Sequence, residues 1–573
     1  MSQNRFQSYY SSAVKQRDSS FASGLTNSMA DGQFFNHEGF WIFAFSFLLN
    51  IMMAYVLYFH FQIGNSDALS RTANAFYVLF SREPHLAAVG FVWPPLPSFL
   101  QLPLLPLTKY FGFVNFTGNI VSSIFGALCL VLMNRLLAKF RFSSWIRWIL
   151  IGLLQFHPDT FYLFSSGMAE PIFLFFVIAT FLGMIEMPLT MRSWVIAGLS
   201  LTGAFFVRYE SLAMMAGVGF AVIVLLFNNE PDWIKKTEGR LFAVLLPPAY
   251  GIGLWLFFNW TLMGDPLFFL RSVYSLSNAP DIAKIAGLTH PLYLAYGNII
   301  EAIRIGVIRS FQQNPAYPVM GLLAFFTIVR SKKRNNFSVF IVMISITAFT
   351  ILQVYLGSLA NWMRYWFYAA PFGLVMAGIV HQNLRSKWRI PFYLFLIFLF
   401  ISGTPISLMT MRNEKFGGDE QRISALLLSP EKENAIKEKD GFWVYLHDAP
   451  IVAEVVDQYA ANGLVMVDSS SSFSVITSVK NPKGLFISND TDYFKALANP
   501  IGVVAYMLVL DPDTGGVINT INITYPTLFE NGAPWATLVW DSGESTMNHW
   551  RIYRIHPVES SHLSTPGSSS SDF

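Results

Sequence analysis

Residues 93–110 read Trp-Pro-Pro-Leu-Pro-Ser-Phe-Leu-Gln-Leu-Pro-Leu-Leu-Pro-Leu-Thr-Lys-Tyr, a run apolar enough to cross a bilayer yet interrupted five times by proline. Whether it crosses decides the topology of everything after it. Counted as a span, it sends the next basic stretch, Arg135, Lys139, Arg141 and Arg147, to the outside. Lys and Arg of short loops are retained on the cytoplasmic side, which argues against that placement. The segment is expected instead to lie along the outer membrane surface, broken by its prolines, inside a first external loop of residues 62–115.

The rest of the chain agrees with a membrane setting. Of its 573 residues 53% are apolar and only 13% charged, with 55 Phe, 23 Tyr and 15 Trp and a mean hydropathy of +0.44. Soluble globular chains carry about 25% charged residues, so an ordinary soluble enzyme is excluded, as is a disordered or collagen-like chain. The single cysteine, Cys129, excludes a disulfide framework and a cysteine-built metal site.

A spanning helix needs about 20 mostly apolar residues. Candidates lie at 40–61, 116–134, 148–163, 171–187, 193–207, 211–227, 241–262, 315–330, 337–357, 362–381 and 390–410, about eleven in all. The apolar run of the first is too long for a cleaved signal sequence, so it reads as a retained span. With 93–110 left outside, 18 of the 27 basic residues before position 411 fall on one face, the tail residues Arg5, Lys15 and Arg17 among them. That face is the cytoplasmic one. The opposite face carries the first external loop and a second long connection, 264–314, with Arg271, Lys284, Glu301, Arg304 and Arg309.

Charge changes character after Thr410. Residues 1–410 hold 27 basic and 15 acidic side chains, a net of +12, whereas 411–573 hold 11 and 20, a net of −9. The fold class that follows is a polytopic α-helical membrane protein with a C-terminal extracytoplasmic α/β domain. The expected division is a disordered cytoplasmic tail at 1–39, a transmembrane domain at 40–410, the α/β domain at 411–560 and a disordered tail at 561–573. Within the α/β domain the strand signals are Phe442–Leu446, Gly463–Asp468, Leu485–Ser488, Val503–Leu510, Thr537–Trp540 and Trp550–Ile555; 451–461 and 492–498 read as helices.

Ionisable residues near the outer ends of the spans need a reason, because lipid expels them. Asp67 lies just past the first span, Asp159 and Glu170 bracket the turn after the third, Arg208 and Glu210 follow the fifth, and Arg364 starts the tenth. Each has an ordinary structural reading. Asp67 or Ser66 can cap a helix over 68–80, Glu170 can favour the dipole of its helix, and the arginines can snorkel or pair with Glu210. Their gathering on one face is what points to chemistry. A carboxylate there can act as general base toward an acceptor hydroxyl or amide, and guanidinium groups can hold a departing phosphate. A polyprenyl-phosphate donor suits that face, since its chain partitions into lipid and its head group reaches the interface.

The set resembles the membrane-embedded GT-C glycosyltransferases, the superfamily of protein O-mannosyltransferases, aminoarabinose transferases and oligosaccharyltransferase catalytic subunits. The resemblance rests on Gly64-Asn65-Ser66-Asp67-Ala68-Leu69-Ser70-Arg71, Pro94-Pro95-Leu96, Gly167-Met168-Ala169-Glu170, Arg208-Tyr209-Glu210 and Arg364-Tyr365 ahead of Pro371, in that order across about residues 40–410. It implies Asp67 as catalytic base, Glu170 as supporting acid, and Arg208, Arg364 and Arg71 as donor-phosphate ligands. It also implies transfer, with inversion, of a hexose such as mannose from a polyprenyl-phosphate donor to an extracytoplasmic glycan, lipid or protein. Many members carry two adjacent acids in the first loop, but Ala68 follows Asp67 here, which leaves a divalent cation as an open question and the metal ligands unknown. Membrane lipids are expected partners and nucleic acid is not; the expected location is the cell membrane, with a cytoplasmic N-terminus. The other readings are a secondary transporter or lipid flippase, whose sites lie at mid-depth on repeated broken helices, and a multi-span receptor with a ligand-binding external domain.

Overall fold

Backbone in lipid must close its hydrogen bonds within the segment, and the apolar runs of this chain do so as helices. The computed structural model describes residues 37–185, 190–227, 232–272, 295–359, 362–413, 419–429, 444–514 and 519–557. Both tails, Lys284 and Phe442 lie outside the described residues, apart from residues 37–39 of the first tail.

Helix coincides with every candidate span. Among the described residues, five helices are long and apolar enough to cross a membrane by length and composition: His37–His60, Val114–Lys139, Trp233–Met263, Arg334–Tyr355 and Ser386–Met411. A bent pair, Pro158–Ser165 and Glu170–Ile185, makes a sixth if counted as one span. The others are shorter, among them Met191–Phe205, Ser211–Leu226 and Ala316–Ser331.

The run expected at 148–163 is not one helix. It divides into Ser144–Gln155 and Pro158–Ser165, with His157 in extended conformation between them. Pro158 has no N–H to continue the ladder and its ring would meet the preceding turn, so it starts a new helix instead. The next break, at 166–169, turns the chain by 108°. The run at 362–381 begins as a short 3-10 turn, Met363–Trp366, and continues as Ala369–His381, all 13 residues of which are buried. Protein surrounds that helix, so lipid thickness does not set its length.

Residues 93–110 form only the short helices Leu96–Phe99 and Leu105–Tyr110. Pro97, Ser98, Leu105 and Thr108 turn inward, while Leu107, Tyr110 and Phe111 are exposed. The connection at 264–314 is partly helical, with Ile299–Gln313 capped by Asn298.

The C-terminal region is a mixed five-stranded sheet in the order β2-β1-β3-β5-β4. Its strands are β1 (Val465–Val467), β2 (Leu485–Ile487), β3 (Tyr506–Leu510), β4 (Ala536–Asp541) and β5 (Trp550–Ile555). β1 runs parallel to β2 and β3, and β5 runs antiparallel to β3 and β4. Side chains alternate along the strands: Val465 and Val467 enter one core, Met466 the other, so both sheet faces are covered. The strand expected at Phe442–Leu446 is corrected, because Val444–Ala460 is a helix. Leu446, Ala449, Val452, Ala453 and Val456 recur at spacings of three and four residues and are buried, which is a helical stripe.

Glycine lets the bundle helices approach closely. A Cβ at Gly126, on Thr117–Lys139, would lie 2.6 Å from the Phe164 ring, and Phe164 is fully buried. Gly126→Val is therefore expected to lower stability by about 1–3 kcal/mol, the range for overpacking a filled core. Denaturant or thermal unfolding of the purified protein in detergent measures it; unchanged stability would contradict this packing.

Candidate active site

The Ser66–Phe80 helix begins with Asn65, whose side chain accepts a hydrogen bond from Asp67 N at 2.9 Å. Asn65 is thus the cap. The Asp67 carboxylate, in the first turn, is left free for another partner. That partner is Arg364, 297 positions away, whose Nη2 donates to Asp67 Oδ2 at 2.7 Å. Arg364 is buried, with 7% of its side chain exposed, while Asp67 keeps 29%, so the acid side of the pair is the accessible one. The Arg364 guanidinium also lies 4.3 Å from the Trp362 ring centroid.

Arg71 follows one turn after Asp67. It lies 4.9 Å from the ring centroid of Trp93, the residue ahead of Pro94-Pro95-Leu96. Its Nη1 makes a long bond of 3.4 Å to Asp67 O, and its Nε is buried without a hydrogen-bond partner. The proline segment is fixed beside it: Ser98 Oγ donates to Arg71 O at 2.9 Å, and Leu96 N donates to Phe206 O at 3.0 Å. Burial pushes the Asp67 carboxyl up, but Arg364, Arg71 and Arg208 outweigh it and hold the carboxyl below its ordinary range.

Glu170 reaches the same region through a backbone approach. Gly167 has φ +79°, and a Cβ there would sit 3.2 Å from both Ala68 Cβ and the Gly118 backbone. Only glycine suits that position, and it lays the start of Glu170–Ile185 against the start of the Asp67 helix. Arg208 Nη1 donates to Glu170 Oε1 at 2.5 Å, and its Nε and Nη2 donate to Glu210 Oε1 at 3.0 and 2.6 Å. Each nitrogen of the Arg208 guanidinium therefore donates to a carboxylate. Among the arginines expected to hold phosphate, Arg364 has the accessible partner and Arg71 the unpartnered nitrogen.

Sequence reading missed several neighbours of this site. Trp93 stacks on Arg71. Tyr365 and Phe367 flank Arg208 at 5.9 and 5.7 Å. Tyr209 Oη ties the Arg208 turn to the first loop through Val92 O at 3.1 Å. Gln313 Nε2 donates to Asp159 Oδ2 at 2.5 Å and to Met363 O at 3.1 Å, so it joins Asp159 to the turn that carries Arg364. Trp93 and Tyr365 had a signal, adjacency to the motifs; Gln313 had none.

Two carboxylate oxygens, Asp159 Oδ1 and Glu170 Oε2, are buried without a hydrogen-bond partner. They invite a cation, yet among the described residues no three His, Cys, Asp or Glu side chains converge on one point. One oxygen of Asp67 is bound by Arg364. A hard divalent ion takes six or more oxygens, so these carboxylates would hold one only with water or substrate phosphate completing the shell.

No family model matches the chain, and no curated protein is similar to it in sequence. Among solved structures it is similar to ArnT from Cupriavidus metallidurans bound to undecaprenyl phosphate, at 10% identity and a TM-score of 0.48, covering 88% of this chain and 97% of that one. It is also similar to the archaeal oligosaccharyltransferase AglB from Archaeoglobus fulgidus in complex with an inhibitory peptide and a dolichol-phosphate, at 12% identity and a TM-score of 0.40, covering 90% of this chain and 74% of that one.

Because Arg208 neutralises two acids at once, its loss leaves both unpaired. Arg208→Met is expected to destabilise the protein by about 3–5 kcal/mol. The same change made together with Glu170→Gln and Glu210→Gln is expected to cost much less. Unfolding midpoints of the single and triple variants in detergent provide the comparison, and equal losses would mean that Arg208 is not neutralising this pair.

Proposed function

We propose that the chain is a membrane glycosyltransferase moving a sugar, a hexose such as mannose, from a polyprenyl-phosphate donor to an extracytoplasmic acceptor. The observation that carries this reading is the Asp67–Arg364 pair, a half-accessible carboxylate bound to a buried guanidinium, with Arg71 one turn away. That is a base set beside an anion site. The acceptor is a hydroxyl or amide of a glycan, lipid or protein.

In the proposed reaction Asp67 takes the proton of the acceptor as its oxygen or nitrogen attacks the anomeric carbon. The bond from that carbon to the phosphate oxygen breaks, and the electron pair leaves with the phosphate. Attack from the face opposite the departing group inverts the anomeric centre. Arg364 and Arg71 hold the charge that develops on the phosphate. Arg208 adds its field to the same region and keeps Glu170 in place. The lipid-linked donor fits this end of the bundle because a water-soluble nucleotide sugar is not supplied outside the cytoplasm.

Orientation follows from charge. Glu38 and Arg147 pair at 2.6 Å at the start of the first span, beside the basic loop 135–147, whereas Asp67 follows the end of that span. Placing the basic end inside puts Asp67, Glu170, Arg208 and Arg364 at the outer end and the N-terminus in the cytoplasm. The gathering of ionisable groups at one end, rather than at mid-depth, favours transfer over transport.

Asp67→Asn, assayed with a polyprenyl-phosphate hexose in proteoliposomes, is expected to lower turnover by about 10²-fold or more, the usual contribution of a positioned base. Full activity at normal expression would reject the assignment. The pH profile offers a second check. Since Arg364 and Arg71 hold the Asp67 carboxyl low, the base stays ionised below the ordinary carboxylate range, and the acid limb of kcat/KM is expected there. In Arg364→Gln the largest opposing charge is gone while burial remains, so the limb moves to higher pH. An unmoved limb would show that Arg364 does not tune this carboxylate.

A further inference from the structure

The helix that carries Asp67 is enclosed on two sides. Toward the bundle, Ala68 meets Gly167, and Thr72 Oγ1 donates to Gln101 Oε1 at 2.7 Å. On another side, Leu69, Phe76 and Tyr77 share one core with Leu446 and Val452 of the Val444–Ala460 helix and with β1 of the C-terminal sheet. The first loop and the C-terminal domain thus build this core together.

Both ends of the helix are gripped by the same domain. Near Asp67, the Leu446 side chain approaches so closely that a Cβ at Gly64 would lie 3.1 Å from it. Beyond the far end, Arg82 donates to Asp490 Oδ2 at 3.1 Å and Asp492 Oδ1 at 2.7 Å, and its guanidinium lies 4.0 Å from the Phe486 ring centroid. Glu83 accepts from Thr491 N and Oγ1 at 3.1 and 2.9 Å, and Asn489 Nδ2 donates to Ala88 O at 3.0 Å. A further tie joins Thr477 Oγ1 to Asn115 Oδ1 at 2.7 Å.

We propose that the C-terminal domain is a brace that holds Asp67 opposite Arg364, with Leu446 and Arg82 as positioning residues at the two ends of the braced helix. A helix that turns by one residue rotates about 100° and rises 1.5 Å, enough to carry Asp67 away from Arg364. Misplacement of a reacting group by about 1 Å can cost 10²-fold in rate. The bundle alone contacts one flank. The C-terminal domain contacts another and, through Leu446 and residues 489–492, blocks sliding at each end.

The bracing rests on contacts alone; its effect on turnover rests on the transferase reading. The test compares the unmodified full-length protein with Arg82→Gln and Leu446→Ala in lipid nanodiscs, by amide hydrogen exchange of 66–80 and by transfer kinetics. The expected result is exchange at least tenfold faster in 66–80 with the Thr117–Lys139 helix unchanged, and kcat about tenfold lower at unaltered donor KM. Unchanged exchange of 66–80 in both variants overturns the brace. Faster exchange with unaltered kcat overturns the positioning role. Should the unmodified protein show no transfer at all, the transferase reading fails by itself, and the exchange data still decide: faster in either variant supports the brace, unchanged in both removes it.

Discussion

Arg364, which is buried, and Arg208, with 12% of its side chain exposed, have to be neutralised before the helical bundle can close around them. Moving an unpaired charge out of water costs several kcal/mol even after the protein relaxes, so each guanidinium needs a carboxylate brought from elsewhere in the chain. Arg364 finds Asp67, and Arg208 finds Glu170 and Glu210. These pairs fix which elements meet: the start of the first-loop helix against the 363–366 turn, and the start of the 170–185 helix against the turn after 205. Breaking one of them would leave a charge that no neighbouring apolar side chain can satisfy.

Close backbone approach makes those pairs possible. Gly167 in the left-handed region lets residues 166–169 turn sharply and rest on Ala68 and Gly118, and Gly167 N donates to Ser122 Oγ at 2.9 Å. The 108° bend between the two helices therefore brings Glu170 beside the Asp67 helix. Proline works alongside glycine: Pro158 starts the short helix before the bend, and the prolines of 93–110 keep that segment in pieces small enough to wrap around Arg71.

The parts of this architecture that were legible in the sequence are those written in residue type and period. Asp67, Glu170, Arg208 and Arg364 stood out because an ionisable residue at the edge of an apolar run is costly and rare. The short apolar run at Val465–Val467 and the β-rich, partly alternating run at Trp550–Ile555 announced strands. Misreadings came where one pattern masked another. The apolar stretches on either side of the His157-Pro158 break in 148–163 read as one span, and the Val-Tyr-Leu run at 444–446 resembled a strand until its burial partners, spaced three and four apart, were known. Partner choice was not legible at all, because nothing local distinguishes an arginine that meets one accessible carboxylate from one that meets two more enclosed ones. Gln313 was invisible for the same reason; an amide at a helix end becomes meaningful only once Asp159 and Met363 are beside it.

The division of labour among the arginines follows from that pairing. Arg208 gives Nε, Nη1 and Nη2 each to a carboxylate, which ties its position to Glu170 and Glu210 and leaves one N–H on each Nη. Arg71 keeps a buried Nε without a partner and a flat face against Trp93, an arrangement that orients the group without consuming its donors. Arg364 is intermediate, since its one carboxylate is also the accessible one. In the proposed reaction the donor phosphate would meet Arg71 and compete with Asp67 for Arg364, while the two carboxylates hold Arg208 in place. A phosphate that drew Arg364 toward itself would weaken its hold on Asp67 and make the carboxylate a stronger base at the moment an acceptor is to be deprotonated.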